Sequence, residues 1–428
     1  MDLDNPEEAQ VEVYLKTNLP AKYAVPGDPV VVPARLARYG LSELVNHILG
    51  FETPVPFDFL VHGEFLRTSL SKYMKTKGIT AEKAVTVNYL FALPQTESAE
   101  VDQFEDWVSR IQRISDTTFV ASSFDGSVRY YEEEQAKYTV VVSKEAVKGL
   151  AAADIGGYLK VGCASKDGDV RCFQADYSTG MVGTESVGKL HKQSAECVAF
   201  NSDLSLLASG GWDGTVAVWN ADQMSVQMKP TSKRQREAQV WEPRSVLSDH
   251  KQGVLALAFG AVDATRFTLM SSSLDNTVRV FDVPAAACIC SWQLGKAAMS
   301  ISQAPDGATF CTAFSDGKVG VWDIRGGDTA LLTNTTSLEA KCSIKAHRRM
   351  VGQAVWCPWD ANMIASVSHD GSLKLLDVRS PSMALQTITV EEEAKVLCVE
   401  WLTSKKLVTG ASDSKVRVHK MGETPVDA

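Results

Sequence analysis

No stretch of the 428-residue chain approaches the ~20 consecutive apolar residues that a bilayer-spanning helix requires, which argues against a helical membrane protein. Its start, Met1-Asp2-Leu3-Asp4-Asn5-Pro6-Glu7-Glu8, lacks the basic-then-apolar pattern of a secretory signal. The nine cysteines contain no C-x-x-C pair, and the closest two, Cys288 and Cys290, lie in an apolar stretch that reads as a strand. An odd count without zinc spacing predicts reduced, buried thiols in a cytosolic or nuclear protein. Positive charge is in deficit, with 43 Lys and Arg against 52 Asp and Glu and a net charge of −9. That balance argues against a surface coated for nucleic acid. One basic run, Lys233-Arg234-Gln235-Arg236, reads first as a solvated loop, with a targeting signal or a local RNA contact as alternatives.

Catalytic motifs are also missing. Neither G-x-S-x-G nor H-E-x-x-H occurs. Gly183-Thr184-Glu185-Ser186-Val187-Gly188-Lys189 has phosphate-loop spacing up to its Lys, but Leu190 replaces the Ser or Thr that would hold Mg²⁺. It also precedes an expected turn and strand, with no helix N-terminus to cradle a phosphate. His47 and His62 have no visible nucleophile beside them. The expectation is a protein that is not an enzyme.

What the chain does have is a repeat. Small residues, then Asp, usually Gly, then an alternating run ending in a bulky residue recur around Asp125, Asp167, Asp213, Asp275, Asp316, Asp370 and Asp413. Successive Asp residues are 42, 46, 62, 41, 54 and 43 apart, and six positions after each stand Tyr131, Phe173, Trp219, Phe281, Trp322, Leu376 and His419. Asp-Gly makes a tight hairpin, since Gly tolerates positive φ, and the alternating run makes a strand with one buried face. Four of the six spacings match the ~40–45-residue period of WD repeats, which Trp212-Asp213-Gly214-Thr215-Val216-Ala217-Val218-Trp219 resembles most closely. Seven copies predict a seven-bladed β-propeller.

Three copies carry a histidine upstream, His191, His250 and His347. In the repeat they resemble, this His bonds through a Ser or Thr to the turn Asp and the Trp beyond. The candidate structural network is His191, Ser209, Asp213 and Trp219, with His250–Asp275 and His347–Asp370 as its counterparts. Such a satisfied buried network rigidifies its blade. Copies lacking His or Trp are expected to lean more on apolar packing. The last copy shows three strands, so an outer strand must come from elsewhere, and residues 99–104 are placed to supply it. The long spacings locate insertions at 223–244 and 326–340, and for the first disorder is the default.

Residues 11–93 lack the repeat. Val11–Leu15 and the valines between Pro29 and Pro33 read as strands. Leu41, Leu44, Val45, Ile48 and Leu49 share a helix face, with Gly50 as its stop and Pro54 and Pro56 barring continuation. Phe57–Val61 and Val85–Phe91 read as further strands. This order is that of a small α+β ubiquitin-like (β-grasp) domain. The reading divides the chain into a disordered start (1–10), the ubiquitin-like domain (11–93), a linker (94–98), the propeller (99–420) and a tail (421–428).

The runs Arg38-Tyr39-Gly40-Leu41-Ser42-Glu43-Leu44-Val45-Asn46-His47-Ile48-Leu49-Gly50, Pro54-Val55-Pro56-Phe57-Asp58-Phe59-Leu60, Gly63-Glu64-Phe65-Leu66-Arg67-Thr68-Ser69-Leu70 and Glu105-Asp106-Trp107-Val108 carry a more specific resemblance. They are similar to the Ytm/WDR-type ribosome assembly factors, whose N-terminal domain is of the Notchless type. The resemblance implies a nucleolar and nucleoplasmic role on the pre-ribosomal large-subunit particle. It implies a propeller bound to Pescadillo and the block-of-proliferation WD-repeat protein. It also implies a ubiquitin-like domain docked on the metal-ion-dependent adhesion site of the midasin AAA ATPase. In the loop Gly78-Ile79-Thr80-Ala81-Glu82-Lys83-Ala84-Val85, Glu82 matches the family's carboxylate ligand to the partner's Mg²⁺, so the chain itself needs no cofactor. Two alternatives stand beside this. A Notchless-like factor would have a longer, eight-bladed architecture. A WD-repeat substrate receptor of a ubiquitin ligase would need a segment such as an F-box, which nothing here resembles.

Overall fold

The computed structural model describes residues 9–79, 84–177, 179–183, 185–222, 239–263, 266–323, 340–381 and 383–422. They form two compact units, one running to Gln95 and including the chain's end from Met421, the other Thr96–Lys420.

The first unit contains β1 (Gln10–Lys16), β2 (Val30–Pro33), α1 (Arg38–Leu49), β3 (Phe57–Val61), β4 (Glu64–Phe65), α2 (Leu70–Lys77) and β5 (Val85–Phe91). The sheet order is β2-β1-β5-β3-β4, with β1 and β5 parallel and the remaining pairs antiparallel. This is a β-grasp sheet. Val13, Leu15, Leu41, Val45, Phe57, Phe59 and Val87 fill the space between it and the helices, each worth about 1.5–3 kcal/mol when fully buried. Gly50 ends α1 at φ +68°, its amide bonding back into the last turn. Asn46 then pins the returning chain, exchanging hydrogen bonds with Val55 at 2.7 and 2.8 Å. The helix α2 is absent from the sequence reading. Its signals are short: Ser69 accepts from the Lys72 amide as the N-cap, Leu70, Tyr73 and Met74 form one buried face, and Gly78 ends it at φ +66°.

Thr96–Lys420 forms seven sheets, each an antiparallel four-stranded blade, with one extra strand on the second. The inner strands are Val108–Arg113, Val147–Ile155, Ala195–Phe200, Val254–Asp263, Ala298–Gln303, Val351–Trp356 and Val396–Thr403. Each touches the next, and the last meets the first, so the ring closes. Apolar side chains between adjacent blades hold it, as where Val108, Ile111 and Phe119 of blade one pack on Cys398, Val408 and Val418 of blade seven.

Every inner strand carries a β-bulge after its first residue, at Val108, Val147, Ala195, Val254, Ala298, Val351 and Val396. Each of these residues is at most 1% exposed. A bulge strengthens local twist, and seven at one level give each blade the same pitch.

The Asp-Gly turns hold Gly126, Gly168, Gly214, Gly317 and Gly371 at φ between +78° and +87°. The following blade's backbone presses on them: a Cβ on Gly317 would lie 2.4 Å from the His347 carbonyl oxygen. Asn276 and Ser414 occupy the same place in blades four and seven, at φ +62° and +67°.

Blade seven takes its fourth strand, Thr96–Gln103, from the start of the unit. The first insertion is not loop throughout. Gln239–Trp241 pairs in parallel with Ser186–Gly188 and becomes a fifth strand on blade two. The Trp241 ring packs 5.0 Å from Trp219, and its Nε1–H donates to the Asn220 carbonyl at 3.1 Å. Blade two's own outer strand is three residues long, and its unpaired edge invites such an addition. Residues 223–238, with the basic run, and 324–339 lie outside the described residues.

Candidate functional site

The three histidines sit where the chain turns into an inner strand, and the tight turns bring the Asp residues back against them. His191 Nδ1 lies 3.3 Å from Asp213 Oδ1 and 3.1 Å from Thr215 Oγ1, and its Nε2 is 2.8 Å from Ser209 Oγ. The Trp219 indole N–H donates to the same serine oxygen at 2.9 Å. Asp213 also accepts from the Lys192 and Thr215 amides. The tautomer that satisfies all of these is neutral, with Nδ1–H donating to Asp213 and Nε2 accepting from Ser209. Burial keeps His191 below the usual histidine range despite Asp213.

His250 repeats the arrangement with Asp275 at 3.1 Å and Ser271 at 2.7 Å, and His347 with Asp370 at 3.2 Å and Ser366 at 2.9 Å. Phe281 and Leu376 stand in the tryptophan's place, so neither serine receives an indole N–H. Burial lowers His347 to about 4. Burial raises Asp275, but the Thr277 hydroxyl, the Lys251 amide and His250 outweigh it and hold the carboxyl at about 2. Ser271, Ser366, Thr277 and Ser372 belong to these networks and were not named by sequence reasoning.

In the blades without histidine, charged networks stand beside the apolar packing. Four residues after the turn Asp, three of them carry Arg129, Arg171 and Arg417. Arg171 pairs with Asp167 and Asp169 at 2.8 and 3.0 Å and approaches Glu185. Arg417 pairs with Asp413, and with Glu100 at 3.4 Å and Glu391 at 3.6 Å. Arg129 reaches Asp102 of the closing strand at 2.8 Å, where the Tyr131 hydroxyl also donates at 2.7 Å. An Arg with several acceptors does the joining that His and Ser do elsewhere. The four-residue spacing from Asp to Arg is visible in the sequence.

The closing strand is tied along its length. Thr96 bonds Gln386, Glu100 takes Lys415 at 2.8 Å, and the Phe104 amide donates to the Ser414 carbonyl. Ser98 Oγ lies 2.7 Å from Nδ1 of His419, whose Nε2 is 2.8 Å from Thr409 Oγ1. His419 occupies the tryptophan position of the repeat and is fully buried. Burial, with Arg417 nearby, lowers it to about 4.

Glu82 lies outside the described residues; the flanking Ile79 and Ala84 lead out of α2 and into β5. Of the segment with phosphate-loop spacing, Thr184 is likewise outside, and Ser186–Gly188 is blade two's outer strand. Among the described residues, no three His, Cys, Asp or Glu are grouped to hold a metal ion, and no helix is long and apolar enough to cross a membrane. Trp107, Trp212 and Trp359 expose between 37% and 47% of their surface; Trp107 stacks on Phe124, and Arg113 lies over the Trp359 ring.

The β-grasp unit and the His–Ser–Asp-braced ring define a class: a WD-repeat propeller protein with an N-terminal ubiquitin-like domain. The model of the NLE (NUC135) domain matches residues 11–74, and that of the WD domain, G-beta repeat, matches residues 185–220 and 241–282. Those two WD matches coincide with the networks of His191 and His250. Over its full length the chain resembles the ribosome biogenesis proteins WDR12 and YTM1. It is 29% identical to the "Ribosome biogenesis protein WDR12 homolog" of Chlamydomonas reinhardtii, covering 97% of this chain and 98% of the relative. The homolog of Drosophila persimilis is 28% identical over 100% and 99%. The "Ribosome biogenesis protein YTM1" of Eremothecium gossypii is 27% identical over 92% and 93%.

Proposed function

We propose that the protein is a non-catalytic assembly factor for the large ribosomal subunit, acting in the nucleolus and nucleoplasm. One observation carries this reading: relatives named as ribosome biogenesis proteins align with both domains at once, end to end. In the reading, the propeller scaffolds a complex with Pescadillo and the block-of-proliferation WD-repeat protein. The ubiquitin-like domain offers Glu82 to the Mg²⁺ of the midasin adhesion site, so that the ATPase can remove the factor from the particle. A divalent Mg²⁺ with one open position takes a hard anionic oxygen in near-ideal octahedral geometry.

Purification of the tagged full chain should return large-subunit precursors with these partners, whereas recovery of cullin components would overturn the reading. Glu82→Ala and Glu82→Gln should abolish capture of midasin in magnesium buffer while leaving the propeller complex intact. Glu82→Asp, one methylene shorter, should bind weakly at best. Undiminished capture by Glu82→Ala would show that another residue is the ligand.

A further inference from the structure

Inside the ring, all seven inner strands line a cavity of about 400 Å³, within the size range of small-ligand sites. One side is walled by small residues such as Gly149, Ala151 and Ala199; the other presents Ser300, Ser302, Gln353, Gln112 and Glu400. Most of these polar groups already have partners. Ser300 and Ser302 accept from the Ala354 and Trp356 amides at 3.0 Å, and Gln353 from the Val399 amide at 3.1 Å. Each thereby stitches its inner strand to the next.

Glu400 continues the series by position but not by bonding. It stands in blade seven where Gln112 stands in blade one and Ser302 in blade five, counted from the bulges. Its carboxyl accepts only from the adjacent Trp401 amide, at 3.2 Å, and has no ion pair among the described residues. Two arginines matter to it. Arg113, whose field acts on it, is engaged by the Leu402 carbonyl at 2.9 Å and Asp116 at 2.7 Å. Arg110, the other charged lining residue, lies two residues nearer the start of its strand, level with Cys398. Burial pushes the Glu400 carboxyl up to about 8, against the Trp401 amide and Arg113. Its carboxyl thus lacks a counter-ion that would favour the charged form.

We propose that this channel receives one ammonium or guanidinium group on an aliphatic stem, the lysine or arginine side chain of a partner polypeptide, with Glu400 as its counter-ion. A cation beside a carboxylate gains most where water is scarce, and the small-residue wall accepts the stem. Arg110 repels a cation coming from the face where the inner strands begin, so the side chain enters from the face where they end. A free polyamine offers the same ammonium chemistry, but its second charge would be driven toward Arg110.

The test is calorimetric titration of the full chain with N-acetyl-arginine methylamide and N-acetyl-lysine methylamide, with spermidine and N-acetyl-glutamate methylamide as comparisons. One or both basic probes should bind in the millimolar range, and the acidic probe should not. Affinity should rise roughly eightfold between pH 6.5 and 7.5, because a group with a pKa near 8 must release its proton as the cation enters. Glu400→Gln should weaken binding at least tenfold with an unchanged melting temperature, and Arg110→Ala should tighten it. Binding independent of pH, or undiminished in Glu400→Gln, overturns the proposal; should that variant fail to fold, the pH slope of the unmodified protein decides. Weaker binding by Arg110→Ala overturns the assigned polarity, and tighter binding of spermidine overturns a side-chain source.

Discussion

Ring closure in blade seven hangs on a relay, Ser98–His419–Thr409, that runs from an exposed serine of the closing strand to buried groups on the third and second strands of the blade. Ser98→Ala removes the partner of a nitrogen on a fully buried ring. An orphaned buried polar group costs about 1–3 kcal/mol. His419→Ala orphans the Thr409 hydroxyl, which is 1% exposed, and also empties the volume of the ring. Adding a cavity penalty for a large-to-small change gives about 4–6 kcal/mol. The two changes share one hydrogen bond, so the double variant should cost less than their sum by about 1–2 kcal/mol. Equilibrium urea unfolding of the full chain and the three variants gives the cycle. Amide exchange across Thr96–Gln103 should rise in both single variants, because that strand is the one released. Additivity within about 0.5 kcal/mol, or unchanged exchange in that strand, would refute the relay as the lock of the ring.

Three further outcomes are expected. Removing residues 1–104 should abolish cooperative unfolding of the propeller, removing 1–95 should not, and a peptide of residues 95–105 should restore it; equal midpoints for the two truncations would count against closure by this strand. Asp213→Ala should cost about 2–4 kcal/mol in urea unfolding by leaving His191 and Thr215 unsatisfied, and Asp413→Ala a comparable amount because it strips buried Arg417 of its nearest carboxylate. Acidification should destabilise the ring well before the carboxylates titrate. His347 and His419 have folded values near 4, below the unfolded ~6.5, so their contribution is complete above pH 6.5 and is lost as pH falls toward 4. By pH 5 the loss is roughly 2 kcal/mol for each. Melting temperatures flat between pH 7 and 5 would refute this.

Local chemistry was enough to show the architecture. The Asp-Gly turns needed positive φ, the alternating runs needed one buried face, and seven copies at one period could pack only against one another, so the sequence alone implied a seven-bladed ring. The same local logic read β1, α1, β3 and β5, since each has a clean period and a clear stop. The pairing of His191 with Asp213 came from the resemblance to WD repeats and not from a fixed spacing, since the three histidines stand 22, 25 and 23 residues before their Asp.

Apart from the closing strand, expected at 99–104 and found at Thr96–Gln103, what was decided between distant segments lay beyond that local logic. The bulge at the head of each inner strand has no residue signature beyond a buried Val or Ala; it arises from the twist that seven blades must share. Which neighbour an arginine meets depends on the next blade, so the ties of Arg129 to Asp102 and Arg417 to Glu100 emerged only when the closing strand was laid beside blade seven. Gln239–Trp241 became a strand because blade two's edge was open and Trp219 stood ready to receive Trp241. Glu400 is an unremarkable alternate residue in one strand. Only the ring, by setting it on the channel wall with no ion pair among the described residues, turns it into a carboxyl in want of a cation.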